Sequence, residues 1–420
     1  MAGFGPGVPA SGEPADAVLA ALGGLTSDDA DWRGGRTFSL VYNADDDELT
    51  RLHDEIGRRF LAENALNPFA FPSLGRMEAE VVAAASSLTH LVDGGGTMSS
   101  GGTESIFLAV HTAREWGRAH GVDHPAIVTA RTAHPAFAKA CHYLGVEQRR
   151  VDVGADLRAD PAAFSDAVDD RAVLLVASAP CYPFGVIDPV TAIAAIAALA
   201  DERAILCHVD ACLGGWLLPF WEELGEPVAP WDFRVPGVTS LSADVHKYGY
   251  AFKGASVILY RDPAMVQRQW FLFDDWPGGL YGSATTAGTR PAAPIAGAWA
   301  TIRHLGVDGY LAKARVVRDT TRRFLEGIEA VPGLAVTGRP DLSVFEFGSS
   351  ALDIGAVGDV MDERGWHLDR QQGGLHLMVS PYHAHVVEAF LADVADAAAI
   401  AGNGRAGSGR SATYGAVPPV

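Results

Sequence analysis

Around residues 126 to 260, the sequence alternates short apolar runs with segments of helical periodicity. The apolar runs predict strands at Ala126–Ala130, Arg150–Val153, Val173–Ala177, Ala204–Val209, Val238–Leu241 and Ser256–Tyr260. The other segments predict helices at Thr103–His120, Phe137–Leu144, Pro161–Val168 and Val190–Asp201. Strands that alternate with helices form a mainly parallel sheet covered on both faces. We therefore expect an α/β fold, with ligands bound outside the carboxyl ends of the strands.

The chain of 420 residues is long enough for more than one domain. A long helical region at 295–331 is followed by shorter strand and helix patterns, which indicate a smaller α+β domain. We predict an N-terminal segment at 1–60, a large domain at 61–294, a small C-terminal domain at 295–401 and a flexible tail at 402–420.

Charge and composition exclude several classes of protein. The net charge of −19 argues against a general nucleic-acid binder, because such proteins neutralise phosphates with basic residues. No apolar stretch is long enough to span a membrane, and the first residues lack the basic start and apolar core of a signal peptide. Four cysteines in a chain of this length do not form a disulfide framework. Composition therefore predicts a cytoplasmic protein with reduced thiols.

Cys207, His208 and Cys212 are close enough in sequence to suggest a metal site. Adjacent residues on a strand point to opposite faces, so the side chains of Cys207 and His208 would diverge. We therefore predict no metal ligands in this protein.

Two predicted strand ends carry an acid and a lysine. Asp210 follows a buried apolar run, where a carboxylate needs a cationic partner or a hydrogen-bond donor. Lys247 lies in the run ADVHKYGYAFKG, whose apolar neighbours favour burial and thus a reactive neutral amine. The two residues are too far apart for a local helix pair, so a ligand between them is expected. Pyridoxal phosphate requires both, a lysine for its Schiff base and an acid for its pyridinium nitrogen.

Three further segments could complete such a site. The run GGGTMSSGGTESIFLAV leads into a helix, where free amides, Gly102 and the Thr103 hydroxyl suit a phosphate; an ordinary turn is the alternative. His134 follows a strand and could stack on a flat ring, or it is a surface histidine. Tyr182 lies in the strand-end turn SAPCYPFGVIDP and could reach the site, or it is a packed aromatic residue.

Several runs, in this order, resemble one family. They are NALNPFAFPSLGRMEAE, TMSSGGTESI, TAHPAFAKA, FGVIDPV, HVDACLGGW, DFRVPGVTSLSADVHKYGYAFKGAS, GGLYGSATTAGTRP and RGWHLD. The chain is similar here to the pyridoxal-phosphate enzymes that include sphingosine-1-phosphate lyase and are related to the group II amino-acid decarboxylases. The resemblance covers residues 36 to 400 and the ATYG of the tail. It implies a fold-type-I enzyme with a mainly parallel seven-stranded sheet, which forms a homodimer with shared active sites.

The resemblance also implies roles for individual residues. Lys247 would form the Schiff base, Asp210 would pair with the pyridinium nitrogen, and His134 would stack on the ring. The other implied cofactor-binding residues are Gly102, Thr103, Ser242, His246 and, from the partner subunit, Gly282 and Ser283. The implied catalytic residues besides Lys247 are Tyr42, Tyr182 and Lys253. The implied substrate-binding residues are Tyr42, Asn64, Asn67 and Lys253.

The chain departs from the lyases at two positions on the substrate side. Asn67 and Phe184 stand where the lyases usually carry histidines. The resemblance predicts a carbon–carbon lyase that cleaves a phosphorylated 2-amino-3-hydroxy amine by a retro-aldol reaction. Three alternatives stay open: an amino-acid decarboxylase, a biosynthetic enzyme that forms the carbon–carbon bond, and a cofactor-binding protein without turnover.

Overall fold

The computed structural model describes residues 7–9, 11–199 and 205–415. Its helices are α1 (Ala15–Leu25), α2 (Asp47–Arg59), α3 (Pro72–Leu88), α4 (Gly102–Ala119), α5 (Ala136–Leu144), α6 (Pro161–Ala167), α7 (Val190–Leu199), α8 (Leu218–Glu223), α9 (Pro263–Gln269), α10 (Ala292–Glu329), α11 (Ile354–Glu363) and α12 (Val387–Gly402). Its strands are β1 (Gly95–Ser99), β2 (Ala126–Ala130), β3 (Glu147–Val151), β4 (Ala172–Ser178), β5 (Leu206–Asp210), β6 (Ser240–Ala243), β7 (Ser256–Tyr260), β8 (Phe271–Phe273), β9 (Tyr281–Ser283), β10 (Ala335–Val336), β11 (Val344–Gly348), β12 (Asp369–Arg370) and β13 (Leu375–Met378). The end of the predicted helix, at 200–201, and the first residue of the predicted strand, at 204, lie outside the described residues.

The large sheet has seven strands in the order β1-β7-β6-β5-β4-β2-β3. Strand β7 pairs antiparallel with both β1 and β6, whereas β6, β5, β4, β2 and β3 pair in parallel. In this sheet, the carboxyl ends of all strands except β7 therefore lie at the same edge. The predicted α/β fold with a mainly parallel seven-stranded sheet is confirmed, and β2 and β7 have the predicted bounds.

Strand β1 was not predicted, because its glycines suggested only a loop. The glycines belong to the strand because the neighbouring backbone is close: a Cβ on Gly96 would lie 2.4 Å from the carbonyl oxygen of Ile258. Strand β3 begins earlier than predicted, since its half-exposed run Glu147–Val151 carries no continuous apolar pattern. Strand β6 is shifted by two residues toward Ala243.

Four helices begin at an aspartate whose side chain accepts a backbone N–H of the first turn. These aspartates are Asp46 before α2, Asp160 before α6, Asp262 before α9 and Asp353 before α11. Such a cap stabilises a helix by about 0.5–2 kcal/mol. The caps set the points at which the chain turns from a loop into the helices that cover the sheets.

A second, antiparallel sheet has the order β10-β11-β13-β12 and packs against α11 and α12. Its core contains Phe38, Phe324, Trp366 and Phe390, all fully buried. Phe38 comes from the predicted N-terminal segment, so that segment contributes to the second core. The domain boundaries themselves stay a prediction. Within the described residues, no helix combines the length and apolarity needed to cross a membrane.

Candidate active site

A cavity of about 470 Å³ lies at the edge of the large sheet where the parallel strands end. Several predicted site residues line it: Tyr42, Gly102, Thr103, His134, Tyr182, Asp210, His246, Lys247 and Lys253. Asp210 is the last residue of β5 and lies in register between Ser178 of β4 and Ser242 of β6. The topology therefore brings together residues from distant parts of the chain at the expected edge of the sheet.

Asp210 is buried at this strand end. One carboxylate oxygen, Oδ1, accepts a hydrogen bond from the backbone N–H of Cys212 at 3.1 Å. The side chain of Asp210 also lines the cavity. A bound cationic N–H in the cavity could therefore pair with this acid.

Lys247 forms its ion pair with an acid that sequence reasoning missed. Its Nζ lies 3.0 Å from Oδ2 of Asp244, and the two side chains are 16% and 1% exposed. Burial by itself would lower the pKa of the Lys247 amine, but the Asp244 carboxylate raises that pKa well above its usual value. Oδ1 of Asp244 is buried and, among the described residues, has no hydrogen-bond partner. Asp244 thus sets the charge of Lys247 and retains one free acceptor.

His246 lies near the same oxygen of Asp244, with its Nε2 3.6 Å from Oδ2. Its Nδ1 accepts the backbone N–H of Ala255 at 3.1 Å, which places the ring proton on Nε2. Burial lowers the pKa of the His246 imidazole to about 4, in spite of the opposing effect of Asp244. Near neutral pH, His246 is therefore a neutral side chain that lines the cavity and donates through Nε2.

Helix α4 begins at the cavity with a close backbone approach. A Cβ on Gly102 would lie 2.7 Å from Sγ of Cys212 and 2.8 Å from Oδ2 of Asp244, so only glycine fits there. The side chain of Glu104 fixes this turn by accepting the backbone N–H of Ser100 at 2.6 Å and that of Thr286 at 2.7 Å. The start of α4 therefore offers free amides to an anion in the cavity.

The opposite wall of the cavity carries hydroxyl groups and a second lysine. The Tyr42 hydroxyl is buried without a hydrogen-bond partner among the described residues, and burial raises its pKa well above the usual value. Nζ of Lys253 lies 4.8 Å from the centre of the Tyr42 ring and donates to the carbonyl of Leu40 at 2.7 Å. Part of the Lys253 side chain is exposed, yet burial and the charge of Lys247 lower its pKa to about 8.

Tyr182 and His134 form the side of the cavity next to the small sheet. The Tyr182 hydroxyl donates to Oδ2 of Asp369 at 2.6 Å, and burial together with that carboxylate raises its pKa. Nδ1 of His134 accepts the backbone N–H of Ala136 at 3.1 Å, which leaves its Nε2 as the donor. Burial lowers the pKa of His134, so the ring is neutral.

Five predicted residues do not line this cavity. Ser242 is fully buried behind it, 3.3 Å from Nε2 of His208 and from Sγ of Cys212. Gly282, Ser283, Asn64 and Asn67 lie elsewhere: Ser283 donates to the carbonyl of Thr285, and Asn67 accepts the N–H of Ala70 in an exposed turn. Within one subunit, the structure does not bring Gly282, Ser283, Asn64 or Asn67 to the cavity, and the roles of all five residues stay a prediction.

Comparisons with known proteins agree with this geometry. Residues 70–337 match the pyridoxal-dependent decarboxylase conserved domain. The chain belongs to this family. It is 40% identical over 412 residues to a sphingosine-1-phosphate lyase of Oryza sativa, covering 95% of this chain and 76% of that protein. A sphingosine-1-phosphate lyase of Drosophila melanogaster is 40% identical over 370 residues, covering 86% of this chain and 67% of that protein.

Solved structures give the same result. The sphingosine-1-phosphate lyase of Burkholderia pseudomallei superimposes with a TM-score of 0.90 at 39% identity, covering 94% of this chain and 93% of that one. A glutamate decarboxylase of Lactobacillus brevis has a TM-score of 0.82 at 19% identity, covers 95% of each chain, and shows the shared fold. The protein is a pyridoxal-phosphate-dependent lyase of the fold-type-I class.

The cavity of this family member fits the cofactor. Gly101, Gly102 and Thr103 line the cavity where α4 begins, so free amides there can bind a phosphate, to which the neutral His246 can donate. Asp210 faces the cavity as the partner of a pyridinium nitrogen, and Lys247 supplies the amine. A buried acid, a largely buried lysine and the free amides of a helix start in one cavity are the groups that pyridoxal phosphate requires.

Asp244 and Tyr414 line the cavity but were not among the predicted site residues. Asp244 could have been found, because it is an acid that follows a strand end three residues before the lysine. Tyr414 lies in a low-complexity tail, where the only signal in the sequence is the short resemblance of ATYG to the lyase family.

Proposed function

We propose that this lyase cleaves the Cα–Cβ bond of a phosphorylated 2-amino-3-hydroxy amine of the sphingoid-base class. The observation that carries the proposal is the second lysine, Lys253, on the wall of the cavity, with a pKa lowered to about 8. Retro-aldol cleavage requires a group that removes the proton of the substrate hydroxyl, whereas decarboxylation does not. The names of the relatives from Oryza sativa and Burkholderia pseudomallei support the same substrate class.

The residues of the sheet edge would hold the cofactor. Gly102, Thr103 and His246 would bind its phosphate, Asp210 its ring nitrogen, and Lys247 would carry it covalently. When bound, pyridoxal phosphate supplies an electron sink for the carbanion left at Cα after bond cleavage. His134, which is neutral and lines the cavity, would lie against the ring.

Lys253 is a better base than Tyr182. Near pH 8 about half of the Lys253 amines are neutral and can accept a proton. The Tyr182 hydroxyl already donates to Asp369, and its pKa is raised, so it keeps its proton. We therefore assign removal of the substrate hydroxyl proton to Lys253, and Tyr182 holds the side of the site in position.

Two other residues of the cavity, Tyr42 and Lys247, can donate protons. The Tyr42 hydroxyl has a raised pKa and, among the described residues, no hydrogen-bond partner, so it is free to donate to a substrate oxygen. Lys247 is kept protonated by Asp244 whenever its amine is free, which makes it the proton donor that completes product formation.

We propose that two copies of the chain form a homodimer with shared active sites. Gly282 lies in β9 of the exposed hairpin β8–β9, in which Phe271, Leu272 and Phe273 of β8 are each at least 45% exposed. Such a patch on a large enzyme marks an interaction surface. Gly282 and Ser283 of the partner subunit would then reach the cofactor phosphate, and Asn64 and Asn67 would contact substrate.

A cytoplasmic location also stays a proposal. It rests on four cysteines that are all unpaired and buried, as expected of a protein in a reducing compartment.

Product analysis tests the proposed reaction. Purified protein loaded with pyridoxal phosphate is incubated with sphingosine 1-phosphate and, in parallel, with a panel of amino acids that includes aspartate and glutamate. We expect a long-chain aldehyde and phosphoethanolamine from the first substrate. Release of carbon dioxide from an amino acid without any aldehyde would contradict the lyase proposal and favour the decarboxylase.

A further inference from the structure

The tail beyond α12 is anchored along helix α11. The backbone N–H of Gly407 donates to Oδ2 of Asp353 at 2.8 Å, and that of Ser408 donates to Oδ2 of Asp359 at 2.5 Å. Nη1 of Arg410 donates to Oδ2 of Asp362 at 2.9 Å. These contacts direct the residues that follow Arg410 toward the cavity at the edge of the large sheet.

Tyr414 is the residue that the tail brings to the cavity. Its hydroxyl lies 3.1 Å from Nε2 of His134, and its ring centre lies 5.1 Å from that of Tyr182. Because Nδ1 of His134 accepts a backbone N–H, Nε2 carries the proton and donates to the Tyr414 oxygen. The hydroxyl hydrogen of Tyr414 therefore remains available for an acceptor in the cavity.

A second cavity of about 790 Å³ adjoins the first. His134, Tyr182 and Tyr414 line both cavities and thus form the wall between them. His134 and Tyr182 are held by hydrogen bonds to Ala136 and Asp369 within the folded core. Tyr414 is 46% exposed and is held from the tail, so it is the part of the wall that can be displaced.

We propose that Tyr414 is a substrate-binding residue that closes the wall between the two cavities. Its ring restricts access to the cofactor, and its hydroxyl accepts from His134 and donates to an oxygen of the bound amine. The segment 407–410 anchors it to α11. This assignment rests on the proposed function for the identity of the amine, but the closing of the wall does not depend on it.

The first test measures access to the cofactor without any substrate. Loaded enzyme is treated with borohydride, and the decay of the absorbance of the lysine-bound cofactor gives a reduction rate. Wild type is compared with Tyr414→Ala, with a chain ending at Ser411, and with Tyr143→Phe, an exposed tyrosine that lines neither cavity, as control. We expect several-fold faster reduction in the first two variants only. Equal rates in all four proteins would overturn the proposal that Tyr414 closes the wall.

The second test measures the hydrogen bond to substrate. Tyr414→Phe keeps the ring and removes the hydroxyl, so KM for sphingosine 1-phosphate should rise about 2- to 10-fold, as expected for one lost hydrogen bond. The cofactor absorbance and the reduction rate should stay at wild-type values. An unchanged KM would overturn the role of the hydroxyl. If wild type yields no aldehyde, the proposed function fails, and the KM comparison is replaced by the affinity for phosphoethanolamine, measured as the absorbance change on binding.

Discussion

The two halves of the active site are built in different ways. On the cofactor side, Asp210 and Asp244 are buried at the ends of the adjacent strands β5 and β6, and Lys247 lies in the turn that follows β6. On the substrate side, Lys253 lies in a turn a few residues after Lys247, whereas Tyr42 and Tyr414 come from loops near the two ends of the chain. The sheet fixes the first group as a unit, whereas loops and a tail can change one at a time. The cofactor chemistry is therefore tied to the fold, and the choice of substrate is not.

The largest effect is expected at Lys247. The Lys247→Ala substitution removes the amine that carries the cofactor, so both the absorbance of the lysine-bound cofactor and the activity should be lost. Absorbance spectra and product assays measure this, with Lys139→Ala on the exposed face of α5 as the control. A retained absorbance band would exclude Lys247 from this role.

Substitution of Lys253 should affect the substrate side of the active site without affecting the cofactor side. Because it is proposed as the base and not as a cofactor ligand, Lys253→Met should lower kcat by about 10²- to 10⁴-fold, the range for loss of a general base. The cofactor absorbance should stay unchanged. Steady-state kinetics and spectra test this beside Lys139→Met. Undiminished turnover would remove Lys253 from the mechanism.

Asp244 is predicted to control the charge of Lys247 before the cofactor is bound. Only a neutral amine reacts with the aldehyde of pyridoxal phosphate. Asp244→Asn removes the carboxylate that raises the Lys247 pKa, so the pH profile for cofactor incorporation should move about 1 to 2 pH units lower, from a charged hydrogen bond of roughly 1.5–3 kcal/mol. Stopped-flow absorbance measures the rate. An unshifted profile, equal to that of the exposed-loop variant Asp275→Asn, would contradict this account.

The pH dependence of wild-type activity tests the protonation state of the Lys253 amine. Its pKa of about 8 means that the amine is protonated and inactive at lower pH and neutral above pH 8. We expect kcat/KM to rise about tenfold from pH 7 to its plateau, following the neutral fraction of the base. Initial rates across pH 6 to 9.5 should show the rise. A flat profile would assign the proton transfer to another group.

The smallest effect is expected at Phe184, which lines the second cavity and for which the resemblance to the lyases implies a histidine. Phe184→His adds a donor there and should lower KM for a phosphorylated substrate about 2- to 10-fold, as expected for one added hydrogen bond. An unphosphorylated amine of the same chain length is the control substrate. An equal change for both substrates would show that this position does not recognise phosphate.

The difference between a sheet edge and separate loops also explains which parts of the active site could be predicted from the sequence. The apolar runs predicted the parallel sheet, and the structure has Asp210 and Lys247 lining one cavity at the edge where its strand ends converge. Strand β1 was missed because its glycines look like a loop and are explained only by the backbone of β7. Tyr414 was missed because a tail carries no periodic pattern, and its position depends on tertiary contacts with α11. The roles of Gly282 and Ser283 depend on a second subunit.

The central claim is that Lys247 carries the cofactor while Lys253, in the same cavity, serves the substrate. The most direct measurement is borohydride reduction of the loaded wild-type enzyme, followed by proteolysis and mass spectrometry of the modified peptide. We predict the pyridoxyl group on Lys247, with Lys253 unmodified. A pyridoxyl group on Lys253 would contradict this division of the site.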